Sequence, residues 1–240
     1  MMIALKPLKL FPSALIFISA AVLLCLMTHL CIPFFSEVTG IEPIVFWFAC
    51  GGLGVFTPLI VVGVIMLRHE GYRFTKKTFK ERLRFRRMTS RDWKYSLVAF
   101  VAIGVLTGAI MGLMQTFVPD FNHTPSFMEL EPLSSGRYWI LLLWFPFWLL
   151  NIGGEEFFWR GVLFPCQELV WGKYTWLLHG TGWTIFHLAF GWQLLVMLLP
   201  LLYIESYVVQ KTQNSWTGVF LHGVVNGPSF VAIALGILNN

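Results

Sequence analysis

Apolar runs long enough to cross a bilayer recur along the whole chain, separated by short polar segments. Seven are legible, at about 10–35, 44–67, 96–117, 138–160, 174–191, 192–210 and 215–237. A spanning helix needs roughly 20 consecutive apolar residues, and several of these runs reach that length. The pattern predicts an all-α, polytopic transmembrane bundle of about seven helices, residues 1–240 forming a single integral membrane domain. Pro146 and Pro200 fall inside the fourth and sixth runs and predict kinks, whereas Pro165 predicts the close of the fourth. The first run is too long for a signal-peptide core and is read as a retained helix.

Composition agrees with that pattern. Hydrophobic residues make up 57% of the chain and charged residues 12%, against roughly 25% charged in a soluble domain. The charge is unevenly placed. Eleven of the seventeen Lys and Arg residues lie between Arg68 and Lys94. The positive-inside rule puts this loop and the N-terminus in the cytoplasm. The acidic loops, with Glu37, Glu42, Asp120, Glu129 and Glu131, then lie outside. Tyr72, Phe79 and Leu83 are spaced to share one face of a short basic helix lying on anionic lipid. Lipid contact and topology explain the basic loop, and nucleic acid is not an expected partner. In the third run Gly104, Gly108 and Gly112 form a smooth stripe on which a neighbouring helix is expected to pack. Gly223 and Gly227 are expected to act similarly in the seventh. The four cysteines contain no CxxC pair and read as apolar fillers.

Against this background a few polar groups stand out. Glu155, Glu156 and Arg160 interrupt a segment otherwise made of Trp, Phe, Leu and Gly. Each such charge costs roughly 2.5 to 3.5 kcal/mol near a bilayer centre. His187, and His222 with Asn226, occupy two later apolar runs. Residues four apart share a helix face, so Glu156 and Arg160 are expected to neutralise each other. Glu155 then points elsewhere, free for acid–base chemistry. Trp183 and His187 form another i,i+4 pair, as do His222 and Asn226. Glu205 is expected near the cytoplasmic interface, Glu168 with Gln167 is expected to be interfacial, and His29 and His179 are expected to be packing residues.

Taken together, these segments resemble the CAAX prenyl protease type II and bacteriocin-processing (CPBP, or Abi) family of intramembrane proteases. Glu155-Glu156-Phe157-Phe158-Trp159-Arg160 has its EExxxR form, and His222-Gly223-Val224-Val225-Asn226 its HxxxN form. The FxxxH motif is altered, with Trp183 in place of Phe before His187. The resemblance covers residues 140–235. It implies hydrolysis of a peptide bond in a membrane-associated peptide or lipidated, CAAX-like tail, delivered from the cytoplasmic face. Glu155 and His187 would activate water, His222 and Asn226 would stabilise the oxyanion, and Glu156 and Arg160 would support the helix. The family label implies a metal. Zinc held by Glu155, His187 and His222 and a metal-free Glu–His pair both use these residue types. A non-catalytic immunity or scaffold protein of the same family is the alternative function. The expected location is a bacterial inner (plasma) membrane, or the endoplasmic reticulum in a eukaryote. If all the boundaries hold, His187 lies near the outer side and His222 near the inner side. Convergence would then need a break in the fifth helix, for which Gly180 and Gly182 are the candidates.

Overall fold

A computed structural model describes residues 5–238, which are helical with short connections and contain no strand. Five uninterrupted helical runs are long and apolar enough to cross a membrane: Leu10–Thr39, Pro43–His69, Ser90–Phe117, Trp139–Thr212 and Ser215–Ala234. The first three are named α1, α2 and α3. The 74-residue run is three rods in series, α4 (139–171), α5 (175–190) and α6 (Gly191–Thr212), separated at Gly172 and Gly191. Both glycines have positive φ, 50° and 82°, a region that a side chain disfavours. The last run is α7. Local chemistry sets several ends. Gly40 closes α1 in the left-handed region. Thr89 and Asp92 form a capping box at the start of α3, and the Asn214 side chain caps α7.

The ends of the rods define two sides. On one, Arg137 pairs with Glu42 at 2.5 Å, and the Leu133 amide donates to the Ala234 carbonyl, tying the 118–138 segment to the end of α7. On the other lies the basic loop. Its Arg82 is buried, pairs with Glu70 at 2.7 Å, and donates to the carbonyls of Gly161 and Val162. Arg84 pairs with Glu168 at 2.5 Å. This loop is docked on the protein. Leu83 is buried whereas Phe79 is exposed, so they do not share the expected lipid face. Lys76, Lys77 and Lys80 do remain exposed.

Other expectations also change. Pro165 does not end α4. It stands in the first turn of a continuing helical segment, where proline is tolerated, and the rod runs on to Trp171. Gly180 and Gly182 do not break α5. They let Tyr203 and Phe17 approach so closely that a Cβ would lie 2.8 and 2.4 Å from the two rings. Gly223 and Gly227 receive the Trp148 ring as expected, but nothing lies within 4 Å of a Cβ at Gly104, Gly108 or Gly112. Among the described residues that stripe has no partner helix. α3 is the least buried of the five runs, with 11% of its apolar window inside. α6 is packed against α3, α5 and α7, which turns its one acid, Glu205, into the core and away from the interface. Gln167 is likewise buried, hydrogen-bonded to Ser13 and His179. His29 binds the Ala189 carbonyl at 2.8 Å and ties α1 to the end of α5.

Candidate active site

Glu155 lies sixteen residues from each end of α4, about 24 Å along it at 1.5 Å per residue. This mid-rod position follows from the continuation past Pro165. His187 is twelve residues into the short α5 and Asn226 eleven into α7, about 18 and 17 Å from their starts. The depths therefore match without any break in α5. Glu155, His187, His222 and Asn226 all line one cavity of about 380 Å³.

Just past Glu155, residues Glu156–Leu163 form a π-helical stretch in which the Phe164 amide bonds to the Trp159 carbonyl five residues back. Such wide turns are rare and recur at functional sites. Every residue of the stretch is buried. Tight packing explains the local conformation: Phe17 stacks on Trp159 with centroids 4.7 Å apart, and Gly218 leaves room for the Glu156 carboxylate, 2.2 Å from where a Cβ would stand.

The Glu155 carboxylate is separate from the guanidinium, as expected, but it is not free. Asn151 donates to Oε1 at 3.1 Å, while the indole N–H groups of Trp159 and Trp183 donate to Oε2 at 3.2 and 2.8 Å. Trp183 is the hub of the site. The Arg160 guanidinium lies 3.6 Å from its ring centroid, and the His187 and His222 rings meet it edge to face, each at 5.3 Å. The phenylalanine usual in the family could supply the ring but not the N–H donor. Asn151, Trp159 and Trp183 were missed as Glu155 ligands. The signal was available for two of them, since Asn151 and Trp159 stand four residues before and after Glu155.

Arg160 does not pair with Glu156 alone. Its Nε is 3.6 Å from Glu156, and its Nη2 is 2.7 Å from Glu205. All three side chains are fully buried. Glu156 also meets His222 Nδ1 at 3.1 Å. No sequence spacing could reveal Glu205 in this cluster, because its partner lies 45 residues away on another rod.

The partners also distinguish the two imidazoles. His187 Nδ1 lies 2.8 Å from the Trp183 carbonyl. A carbonyl only accepts, so Nδ1 carries the proton and Nε2 of the neutral ring holds the lone pair. His222 Nδ1 instead faces a carboxyl group, which accepts or donates according to its protonation. Among the described residues neither Nε2 nor the Asn226 amide has a hydrogen-bond partner.

Two sets of residues bear on a metal. Glu155, His187 and His222 do not form a group with converging ligand atoms. Among the described residues that property belongs to Glu156, Glu205 and His222, whose ligand atoms lie within 4.8 Å of one another. There the Arg160 guanidinium already supplies the cation between the two acids. Both oxygens of Glu155 in turn accept N–H groups. As arranged, neither donor set fits an open zinc site.

Comparison with known families matches residues 137–227 to the model described as Type II CAAX prenyl endopeptidase Rce1-like. Neither the curated proteins nor the solved structures yield a match. The matched stretch begins just before α4 and ends just after Asn226, so it contains all the site residues described above.

Proposed function

Taking residues 137–227 as an Rce1-like domain of the CAAX-type intramembrane protease kind, we propose that the chain is an intramembrane endopeptidase. Its substrate is a peptide bond in a membrane-associated peptide or lipid-linked tail. The observation that carries this reading is the cavity shared by Glu155, His187, His222 and Asn226.

The chemistry is direct attack by water. Glu155 accepts the water proton, its carboxylate held in one orientation by three N–H donors. His187 Nε2, with its lone pair set by the bond at Nδ1, accepts the second hydrogen bond of the water and aims it at the substrate carbonyl. The attack places negative charge on the carbonyl oxygen. Asn226 and His222 Nε2 donate to that oxygen. For Nε2 to donate, it must carry a hydrogen. The Glu156–His222 pair provides this in either of two ways: Glu156 bears the proton and Nδ1 accepts it, or the ring is an imidazolium with Glu156 as counter-ion. Charge balance favours a proton here. Two acids, Glu156 and Glu205, face one guanidinium, and an uncompensated buried charge is costly. Glu155 finally returns its proton to the leaving amine. No step is routed through a metal.

Cleavage of a membrane peptide library by purified protein tests the reading. Wild type is expected to cut. Glu155→Gln and His187→Gln are expected to lose cleavage while remaining folded. Equal phenotypes of wild type and Glu155→Gln in any assay of the protein's action would instead identify a non-catalytic immunity or scaffold protein.

A further inference from the structure

The cavity has a direction. On α4 its lining residues Trp144, Trp148 and Asn151 precede Glu155, whereas on α7 Val225, Ser229 and Phe230 follow His222. α4 begins and α7 ends beside the 118–138 segment, so both stretches lie between the site and that segment. His123, Thr124, Pro125 and Met128 of the segment also line it. Burial holds the His123 imidazole below its ordinary range, so it is neutral at pH 7 and puts no cation at the mouth.

The opposite direction is closed. Residues 154–167 are all buried, and the Glu156–Arg160–Glu205 cluster lies beyond the site. Arg82 seals the base of α4 through the carbonyls of Gly161 and Val162. On the 118–138 side, by contrast, Ser229 is exposed and Thr107 and Met111 are half-exposed, although all three line the cavity. Thr107 and Met111 belong to α3, the least buried rod. Apolar side chains dominate the walls, the aromatic ones including Trp47, Phe48, Phe147, Phe190 and Phe230. Such walls suit an extended apolar segment, with the ionisable groups other than His123 gathered at the floor.

We propose that both the apolar peptide substrate and the hydrolytic water reach Glu155 through the half of the cavity beneath the 118–138 segment, opposite the basic loop. Under the positive-inside rule this is the extracytoplasmic side, which reverses the cytoplasmic delivery expected from the family resemblance. The substrate half of this inference rests on the protease reading. The direction of aqueous access does not.

The test is thiol accessibility in the full-length protein in membrane vesicles. Cys25, Cys31, Cys50 and Cys166 are replaced by Ser, and Val225→Cys or Ser229→Cys is added. Lys77→Cys and Glu129→Cys mark the basic-loop and acidic-loop sides. A small membrane-impermeant maleimide is applied to one side at a time. Both cavity variants should react at least tenfold faster from the side that labels Glu129→Cys. Faster reaction from the Lys77→Cys side, or none from either side, overturns the proposal. Should Val225→Cys fail to fold, Ser229→Cys carries the test, because its site is already exposed. A second arm uses single-span reporter peptides with the scissile segment on one side or the other; cleavage only on the Glu129→Cys side is expected, and cleavage only on the Lys77→Cys side overturns the substrate half. Labelling is repeated with Glu155→Gln, which needs no proteolysis. Acidic-side labelling with no cleavage of either reporter would leave the access route standing, overturn substrate delivery and remove the protease reading.

Discussion

Three N–H groups on Glu155 make its position the most strongly determined feature of the site. Glu155→Gln keeps the shape, and the Gln carbonyl still accepts from both indoles while Asn151 adjusts to the amide. The variant is therefore expected to melt near wild type in detergent, yet to lose roughly 10²- to 10⁴-fold in kcat, the usual loss when a general base is removed. Trp183→Phe is a finer probe. It introduces the residue usual in the family, removing the N–H that reaches Glu155 at 2.8 Å together with part of a fully buried ring that carries the Arg160 guanidinium. Loss of that bond should lower kcat about tenfold, equivalent to about 1.4 kcal/mol, with KM little changed, while the space left by the smaller ring lowers the melting temperature. A lower melting temperature with kcat unchanged would show Trp183 to be packing alone. At this scale the sequence was informative where partners are close along one helix: four-residue spacing linked Trp183 to His187 and His222 to Asn226. It was incomplete for Glu156 and Arg160, whose pair forms, because spacing cannot reveal that Glu205 on another rod shares the guanidinium.

Among the elements, α4 organises the molecule, and its buried π-helical stretch depends on ion pairs and close approach. Arg160→Met leaves Glu156 and Glu205 without their cation. It is expected to cost about 3–5 kcal/mol, read as loss of the folded fraction on thermal unfolding in detergent. Adding Glu205→Leu to Arg160→Met should recover part of that loss, since a buried acid left unpaired is worse than an apolar side chain. Glycine positions separate in the same way. Gly182→Ala drives a methyl group into the Phe17 ring and should destabilise by about 1–3 kcal/mol, the usual result of overpacking. Gly108→Ala meets nothing and should be neutral or slightly stabilising in the same melt. Rod identities were legible from hydrophobic run length. The end of α4 was not, because proline is compatible with a first helical turn and the sequence alone made Pro165 look like a stop. That single misplacement shifted Glu155 towards the inner end and created the apparent difficulty of bringing it to His187.

At the scale of the whole molecule, the bundle encloses the Glu155 site at the floor of a largely apolar cavity and closes the side nearer the basic loop. The all-helical membrane architecture followed from composition and run length. The cavity did not, since it is built from six rods and a loop whose mutual packing no local pattern encodes. Metal dependence belongs to this scale too. With Arg160 between the acids and the ligand atoms of Glu155, His187 and His222 not converging, a zinc chelator is expected to leave cleavage unchanged. The measurement that tests the central claim most directly is cleavage of a membrane peptide library by the purified, lipid-reconstituted protein, comparing wild type with Glu155→Gln, each with and without the chelator. The account predicts cleavage by wild type in both conditions and cleavage at least about 10²-fold slower by Glu155→Gln. Cleavage by Glu155→Gln near the wild-type rate, or no cleavage by wild type in lipid or detergent, would contradict it.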